Sequence, residues 1–232
     1  MKVLFIVDSY NWALYNRAVS LSKYLYDHAF DIKSFQDLDG IDFNSYDIVY
    51  SLNWPIHGYI KNKLLPRGKR KYRLVTTICS HINRPSAMKL KPILNQYDAI
   101  SCANLLLHKE FQKHYKHVFY TPFGVESELF SPRTSPSDYQ NVVGWVGNKT
   151  RLVKRFPEIK AAVESIPGMV FKYVDESSGY NREQMAEYYN SIGTLVCFST
   201  SEGTPNPVLE AASCGRFIIS SNVGNVPKLR AE

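Results

Sequence analysis

The chain has 232 residues, of which 44% are hydrophobic and 21% are charged, a balance that is typical of a globular protein and excludes a disordered one. Its formal net charge is +7. Residues 1–137 hold 18 basic and 11 acidic side chains, whereas residues 138–232 hold ten of each. We therefore expect any anionic partner to bind the first part of the chain.

The four cysteines and the first apolar run argue against a disulfide-bonded protein, a cysteine metal site, a signal peptide and a membrane span. No two cysteines form a C-x-x-C pair, and all four lie in or beside apolar segments. This pattern predicts buried free thiols in a reducing compartment rather than disulfides or a metal site. The apolar run at residues 3–7 ends at Asp8, so it fits neither a signal peptide nor a membrane span. We therefore expect a cytoplasmic protein.

Strand patterns alternate with helical patterns along the first part of the chain. The expected strands are residues 2–8, 32–35, 46–51, 72–78, 98–102 and 118–121. Apolar residues recur at helical spacing in residues 16–26, and residues 104–115 also form a helical stretch. This alternation predicts a parallel, doubly wound α/β sheet.

A second α/β unit follows a change in composition. Residues 122–138 contain three prolines and several serines, which is typical of a linker. The pattern beyond it predicts strands at 142–146, 170–174, 195–198 and 217–219, and helices at 154–165 and 182–191. We expect two domains, residues 1–130 and residues 131–232.

Residues 197–221 carry the chemistry that the sequence suggests. They are predicted to form a strand, a loop, a short helix and a strand. Asn206 suits the N-cap of that helix, and Pro207 suits its first position, where a missing N–H has no cost. Glu202 then lies in the loop, and Glu210 in the first turn of the helix or just beyond. Ligands of open α/β sheets bind at this edge.

This arrangement predicts a site for a nucleotide sugar. Free N–H groups at the helix start, those of Val208 and Leu209, attract phosphate. The Glu210 carboxylate can accept hydrogen bonds from two ribose hydroxyls, and Glu202 lies on the far side of the phosphates, where a sugar would be. The alternative is a solvated loop and a glutamate that compensates the helix dipole.

The same residues resemble a known motif. Glu202 and Glu210 are separated by seven residues within Ser-Glu-Gly-Thr-Pro-Asn-Pro-Val-Leu-Glu-Ala-Ala-Ser-Cys-Gly. This stretch resembles the E-x7-E motif of the retaining GT-B glycosyltransferases of family four. The resemblance implies two Rossmann-like doubly wound domains, with the acceptor on the first and the nucleotide sugar on the second. Its implied donor-binding residues here are Gly203, Thr204, Pro205, Asn206, Val208, Leu209 and Glu210. The family normally continues beyond the last strand seen here, so we expect the second domain to be truncated.

Two further elements resemble the family. Gly147 and Lys154 resemble its Gly-Arg…Lys-Gly element, in which an arginine and a lysine hold the diphosphate. Asn148 stands at the arginine position, so Arg151 is the expected substitute. These cations and the helix N–H groups imply a transferase that needs no metal or other cofactor. The resemblance also implies that His81, after the fourth strand, faces the transferred sugar, and that Glu202 and His81 are catalytic; a polar loop histidine is the alternative for His81.

One departure leaves other functions open. Members of the family usually have a Gly-Gly pair after the first strand, whereas residues 8–14 contain no glycine; Asn11 or Trp12 could still line the cleft. We expect a retaining hexosyl or other glycosyltransferase. A non-catalytic nucleotide-sugar-binding module and a sugar-nucleotide epimerase of the same fold are the alternatives. The acceptor is left open among a glycan, a lipid-linked glycan and a small molecule.

A basic segment, residues 61–73, is the other candidate for a binding surface. It carries seven cations, namely Lys61, Lys63, Arg67, Lys69, Arg70, Lys71 and Arg73. The functional interpretation is peripheral contact with an anionic membrane, at its inner face, or with an anionic acceptor. The alternative is a solvated face. No nucleic-acid-binding motif accompanies the charge, so we expect no nucleic-acid partner.

Overall fold

The computed structural model describes residues 1–10, 13–65, 68–80 and 84–229. The chain divides into two compact units, Met1–Pro122 and Phe123–Glu232. The division lies eight residues before the one expected from the sequence. Among the described residues, no helix is both long enough and apolar enough to cross a bilayer.

The first unit is built on a six-stranded sheet in the order β2-β1-β3-β4-β5-β6. All of its neighbouring strands pair in parallel, as the alternating pattern predicted. The strands are β1 (Lys2–Val7), β2 (Ala29–Ser34), β3 (Ile48–Ser51), β4 (Arg73–Ile78), β5 (Ala99–Cys102) and β6 (Val118–Tyr120). Each overlaps a predicted strand, because a strand buried on both faces reads as a continuous β-branched or aromatic run.

Four helices connect these strands in the described part of the first unit. They are α1 (Ala13–Tyr24), α2 (His57–Ile60), α3 (Lys91–Leu94) and α4 (Leu105–Phe111). Helix α4 begins after Asn104, whose side chain accepts a hydrogen bond from the N–H of Leu107 at 2.9 Å. Buried side chains of α2, α3 and α4 pack with those of β1, β3, β4 and β5 into one core.

The basic segment is less available than its composition suggests. The Arg70 guanidinium donates to Asp98 Oδ2 at 2.7 Å, and its side chain is 3% exposed. Lys63 donates to Asp39, and Arg67 lies outside the described residues. Arg70 is therefore part of the fold, where it connects the segment to the residue before β5.

The second unit is a four-stranded parallel sheet in the order β10-β9-β7-β8. Its strands are β7 (Val142–Gly147), β8 (Val170–Asp175), β9 (Thr194–Cys197) and β10 (Phe217–Ser220), and its helices are α5 (Phe156–Glu164), α6 (Arg182–Tyr189) and α7 (Asn206–Ser213). The helix predicted at 154–165 is present as α5 and begins two residues later than expected. Leu152–Lys154 forms a 3-10 turn, and Arg155 adopts a left-handed conformation (φ 52°) before α5 begins.

Residues 123–134 pack with the second unit, which explains where the units divide. Phe130 is buried in the core that contains β9, α6 and α7. Arg182 donates to Glu126 Oε2 at 2.7 Å, and Asn190 Nδ2 donates to the carbonyl of Ser131 at 3.1 Å. The buried Arg216 donates to the carbonyl of Ile192 at 3.1 Å and to that of Thr134. The proline-rich segment is therefore fixed by specific contacts.

Burial of one histidine predicts a pH dependence of stability. His57 is buried, and its Nδ1 lies 3.2 Å from the Tyr97 hydroxyl. Burial, and secondarily the charge of Lys61, lower the pKa of His57 below its usual value. Below about pH 6.5 the unfolded chain takes up a proton that the folded chain resists. The free energy of unfolding should therefore fall below pH 6.5 and level off below the lowered pKa.

Between pH 7 and pH 5, the melting temperature of His57→Gln should fall less than that of the wild type. Each 1 kcal/mol corresponds to about 2–4 °C for a chain of this size. The control is His117→Gln, because His117 is exposed; it should follow the wild type. Equal losses in all three proteins would contradict the assignment to His57.

Candidate functional site

Three loops of the second unit meet at one edge of its sheet. They follow the carboxyl ends of β7, β8 and β9, and the register pairs Gly144 of β7 with Leu195 of β9. The carboxyl edge of a parallel sheet is where ligands of open α/β folds bind. Lys154 lies in the first of these loops and Glu202 in the third.

Lys154 and Glu202 form an ion pair at this edge. Lys154 Nζ lies 2.6 Å from Glu202 Oε1, and their side chains are 14% and 11% exposed. Partial burial of both charges strengthens their attraction compared with a surface pair, because less water screens it. A lysine expected at a diphosphate and a glutamate expected at a sugar thus lie in direct contact.

The backbone holds these two loops in place. The N–H of Thr200 donates to the carbonyl of Val153 at 2.9 Å, so the turn that carries Lys154 is bonded to the loop that carries Glu202. Gly224 supports that loop from the other side. A Cβ atom on Gly224 would lie 2.4 Å from the carbonyl oxygen of Gly203 and 3.3 Å from that of Glu202. The ion pair is therefore fixed by its main chain as well as by charge.

A cavity of about 290 Å³ opens beside the pair. Lys154 and Arg151 line one part of it, and Arg151 itself is exposed. The other lining residues come from the ends of β7 and β8 and from the residues that follow them: Val146, Gly147, Asn148, Val174, Asp175, Glu176, Tyr180 and Met185. The cavity combines cations, carboxylates and an apolar lining.

The carboxylates of this cavity are Asp175, the last residue of β8, and Glu176, which follows it. Asp175 Oδ1 accepts the backbone N–H of Lys149 at 3.0 Å, and its other oxygen accepts the hydroxyl of Ser177 at 2.5 Å. These bonds, in that order, lower the pKa of Asp175 and keep it ionised. Glu176 accepts a hydrogen bond from the amide of Asn148 at 2.8 Å. Both carboxylates were missed from the sequence, although their place after a predicted strand could have indicated them.

The start of helix α7 differs from the prediction. Pro205 occupies the N-cap, Asn206 is the first helical residue, and no side chain caps the helix. The N–H of Val208 donates to the carbonyl of Pro205 at 2.9 Å, so the expectation of a free N–H on Val208 is wrong. The prediction failed because Pro205, with φ −74° and ψ 88°, precedes the helix and its carbonyl accepts this bond.

Glu210 lies in the second turn of α7, and the residue as a whole is partly buried. The Tyr189 hydroxyl donates to Glu210 Oε2 at 2.7 Å. Burial raises the pKa of Glu210, and the Tyr189 bond and the charge of Arg182 counteract it. Glu210 does not line the cavity, but its partner Tyr189 lies one helical turn beyond Met185, which does.

The structure thus brings together part of the predicted set. Glu202 and Lys154 are in contact, and Arg151 lines the same cavity as Lys154. Gly203 and Pro205 are buried in the Glu202 loop, Thr204 is partly exposed, and the side chains of Val208 and Leu209 are buried in the unit. His81, Asn11 and Trp12 lie outside the described residues. Within the described ranges, no group of three or more His, Cys, Asp or Glu side chains could hold a metal ion.

Comparisons with known proteins agree with this architecture. Residues 142–232 match the family described as Glycosyl transferases group 1. None of the curated proteins compared with the sequence matches it. Among solved structures, sucrose-phosphate synthase from Thermosynechococcus elongatus aligns with a TM-score of 0.65 at 13% identity, covering 97% of this chain and 82% of the other.

Two other solved structures extend the comparison. An alpha-glucosyltransferase in complex with UDP and DNA aligns with a TM-score of 0.66 at 12% identity over 94% of this chain and 79% of the other. The lipopolysaccharide outer core galactosyltransferase WaaB aligns with a TM-score of 0.57 at 14% identity over 100% of this chain and 84% of the other. With two Rossmann-like sheets, the chain has the GT-B fold of these structures.

The close contact at Gly224 predicts how a single methyl group disturbs the site. Gly224→Ala adds a Cβ 2.4 Å from the Gly203 oxygen and also strains a backbone at φ 56°. We expect it to lower the melting temperature and to weaken binding of any ligand that uses Glu202, since overpacking costs about 1–3 kcal/mol.

The matched control is Gly168→Ala, which has the same type of backbone (φ 80°) but open space around the new atom. It separates backbone strain, about 1–2 kcal/mol, from the collision itself. Differential scanning fluorimetry of both variants measures the difference. If the two variants lose equal stability, Gly224 does not support the Glu202 loop.

Proposed function

We propose that this chain, whose residues 142–232 match the group 1 glycosyl transferases and whose fold is GT-B, transfers a sugar from a nucleotide-sugar donor to an acceptor with retention of anomeric configuration. The observation that carries the proposal is the contact between Lys154 and Glu202 beside a cavity that Arg151 also lines. A cation for the diphosphate and a carboxylate for the sugar then lie next to each other, as a nucleotide sugar requires.

In this proposal, Lys154 and Arg151 stabilise the leaving nucleoside diphosphate. Negative charge develops on the β-phosphate oxygen as the glycosidic bond breaks, and fixed positive groups stabilise that charge. Lys154 is positioned for this role by the turn that the Thr200 bond holds, and Arg151 enters the same cavity. The reaction then requires no metal ion.

The remaining lining of the cavity suits the nucleoside. Val146, Val174, Met185 and Tyr180 offer apolar and aromatic surface for a base, and Glu176 offers a hydrogen-bond acceptor. We assign Glu210 to the ribose, where Tyr189 orients its carboxylate. The solved alpha-glucosyltransferase complexes contain UDP or UDP-glucose, which makes uridine the first base to test.

Glu202 and His81 are the catalytic residues of this proposal. Glu202 would accept hydrogen bonds from hydroxyls of the transferred sugar, and His81 is assigned to the same sugar on the family resemblance alone. The first unit would bind the acceptor, which we leave open among a glycan, a lipid-linked glycan and a small molecule.

The first experiment measures turnover of a donor panel. The purified chain is incubated with UDP-, GDP- and ADP-glucose, and release of the nucleoside diphosphate is measured with and without candidate acceptors. We expect release from one donor. Conversion of the donor to another sugar nucleotide without an acceptor would indicate an epimerase, and tight binding without turnover would indicate a binding module.

Lys154→Ala tests the assignment of the diphosphate to Lys154, with binding affinities measured by calorimetry. We expect it to weaken binding of the nucleoside diphosphate at least tenfold, since a charge-assisted hydrogen bond contributes about 1.5–3 kcal/mol, and to leave binding of the bare nucleoside nearly unchanged. Lys160→Ala is the control, because Lys160 lies on α5 and pairs with Glu164 at 3.8 Å. Equal losses for nucleoside and diphosphate would contradict the role of Lys154.

We also propose that the basic segment provides peripheral contact with an anionic membrane. Lys61, Lys69 and Lys71 are exposed, whereas Arg70 is fixed on Asp98. Each exposed cation near an anionic surface contributes about 1 kcal/mol, and salt screens this attraction. The triple change of Lys61, Lys69 and Lys71 to Ser should reduce co-sedimentation with phosphatidylserine-containing vesicles.

The control for this test removes the same charge elsewhere in the first unit, by changing Lys109, Lys113 and Lys116 to Ser. It should retain more vesicle binding than the first variant. Neutral vesicles and high salt should abolish the difference. Equal binding by both variants would leave the basic segment as a solvated surface.

A further inference from the structure

The Lys154–Glu202 pair has a consequence beyond transfer itself. The ammonium group that would hold the diphosphate is already bonded to a carboxylate at 2.6 Å. A phosphate oxygen bonded to the same nitrogen would lie about 2.7–2.9 Å from it. The phosphate and the Glu202 carboxylate would therefore approach within roughly 6 Å, a distance at which like charges repel.

Glu202 has little freedom to move away from an arriving phosphate. Its loop is bonded through Thr200 to the turn that carries Lys154, and Gly203 lies against Gly224. Its side chain is 11% exposed, so water screens its charge only weakly. The repulsion is therefore felt by whatever phosphate binds Lys154.

The donor and the product of transfer differ in charge at this position. In a nucleotide sugar the β-phosphate is a diester with one negative charge. On transfer, the bond between the anomeric carbon and the β-phosphate oxygen breaks and the oxygen keeps the electron pair. The acceptor oxygen forms the new bond to carbon and its proton passes to solvent. A terminal phosphate has a second pKa of about 6, so near neutral pH the product carries about one more negative charge than the donor.

We infer that the charge of Glu202 weakens binding of the nucleoside diphosphate product relative to the nucleotide sugar, and so opposes the attraction of Lys154 and Arg151 for the additional phosphate charge. The inference rests on the proposed function and adds a specificity role to Glu202. In the donor, sugar hydroxyls can donate hydrogen bonds to the carboxylate. In the product, the same carboxylate faces an additional phosphate charge, which promotes release.

The experiment measures dissociation constants by calorimetry at pH 7.5, for UDP, GDP and ADP and for their glucose conjugates. Glu202→Gln keeps the size of the side chain and an oxygen that can accept from Lys154, but it removes the charge. We expect it to bind the nucleoside diphosphate about tenfold more tightly than the wild type and to bind the nucleotide sugar no more tightly. Glu187→Gln is the control for net charge, since Glu187 is exposed on α6, and it should keep the wild-type ratio.

A pH series tests the same inference through the charge of the ligand. As the terminal phosphate ionises between pH 5.5 and pH 7.5, affinity for the nucleoside diphosphate relative to the nucleotide sugar should rise more steeply in Glu202→Gln than in the wild type, and Glu187→Gln should follow the wild type. An equal change for both ligands in Glu202→Gln, weaker binding of the nucleoside diphosphate, or the same pH dependence in Glu202→Gln and the wild type would overturn the inference while leaving transfer intact. If no nucleotide binds the wild type, the proposed function fails as well.

Discussion

The contact between Lys154 and Glu202 is the constraint on which the proposed site depends. Two charges with side chains 14% and 11% exposed lose much of their hydration, and a buried pair often gives no net stability over an apolar one. Loss of either partner would leave the other charge poorly solvated. The pair is therefore weak evidence for stability of the fold, and its place beside the cavity is what supports the proposed binding role.

The packing of α6 against β7 and β8 helps to explain how Lys154 and Glu202, 48 positions apart, remain in contact. Tyr188 lies against Gly144, where any larger side chain would collide with its hydroxyl. That hydroxyl accepts the N–H of Trp145 at 2.9 Å and lies 3.1 Å from the carbonyl of Lys172. Helix α6 is thereby attached to β7 and β8 at once. The loop that follows β7 and carries Lys154 leaves the sheet from this fixed point.

The sequence predicted the strands well and the local ends of helices less well. The strands are rich in β-branched and aromatic residues, which identifies them even where they are partly exposed, as β2 and β10 are, and every predicted strand of both units is present in the structure. The ends of helices depend on backbone angles that composition does not determine. Arg155 adopts φ 52°, a conformation that a non-glycine residue rarely takes, and α5 begins at Phe156, two residues after the predicted start.

The contacts within the candidate site were also harder to predict from the sequence than the residues that make them. Glu202 was identified from its position after a strand and from the motif it resembles, and Lys154 and Arg151 from a second resemblance to the same family. The contact of Lys154 with Glu202 depends on the order β10-β9-β7-β8, which places β9 directly beside β7. The partner of Glu210 could not be foreseen, because Tyr189 reaches it from another helix through a single hydroxyl. Residue types thus identify candidates, and topology decides which of them meet.

In both parts of the chain, the formal charge is a poor guide to the charge that a ligand would meet. In the first unit, the excess of cations overstates the exposed charge, because Arg70 and Lys63 are bonded to Asp98 and Asp39. In residues 138–232, equal numbers of acidic and basic residues give no sign of a polar cavity. Its cations lie in the loop after β7, and its carboxylates are the last residue of β8 and the residue that follows it. A ligand with an anionic part and a part rich in hydrogen-bond donors complements such a cavity, even though the net charge of this half of the chain is zero.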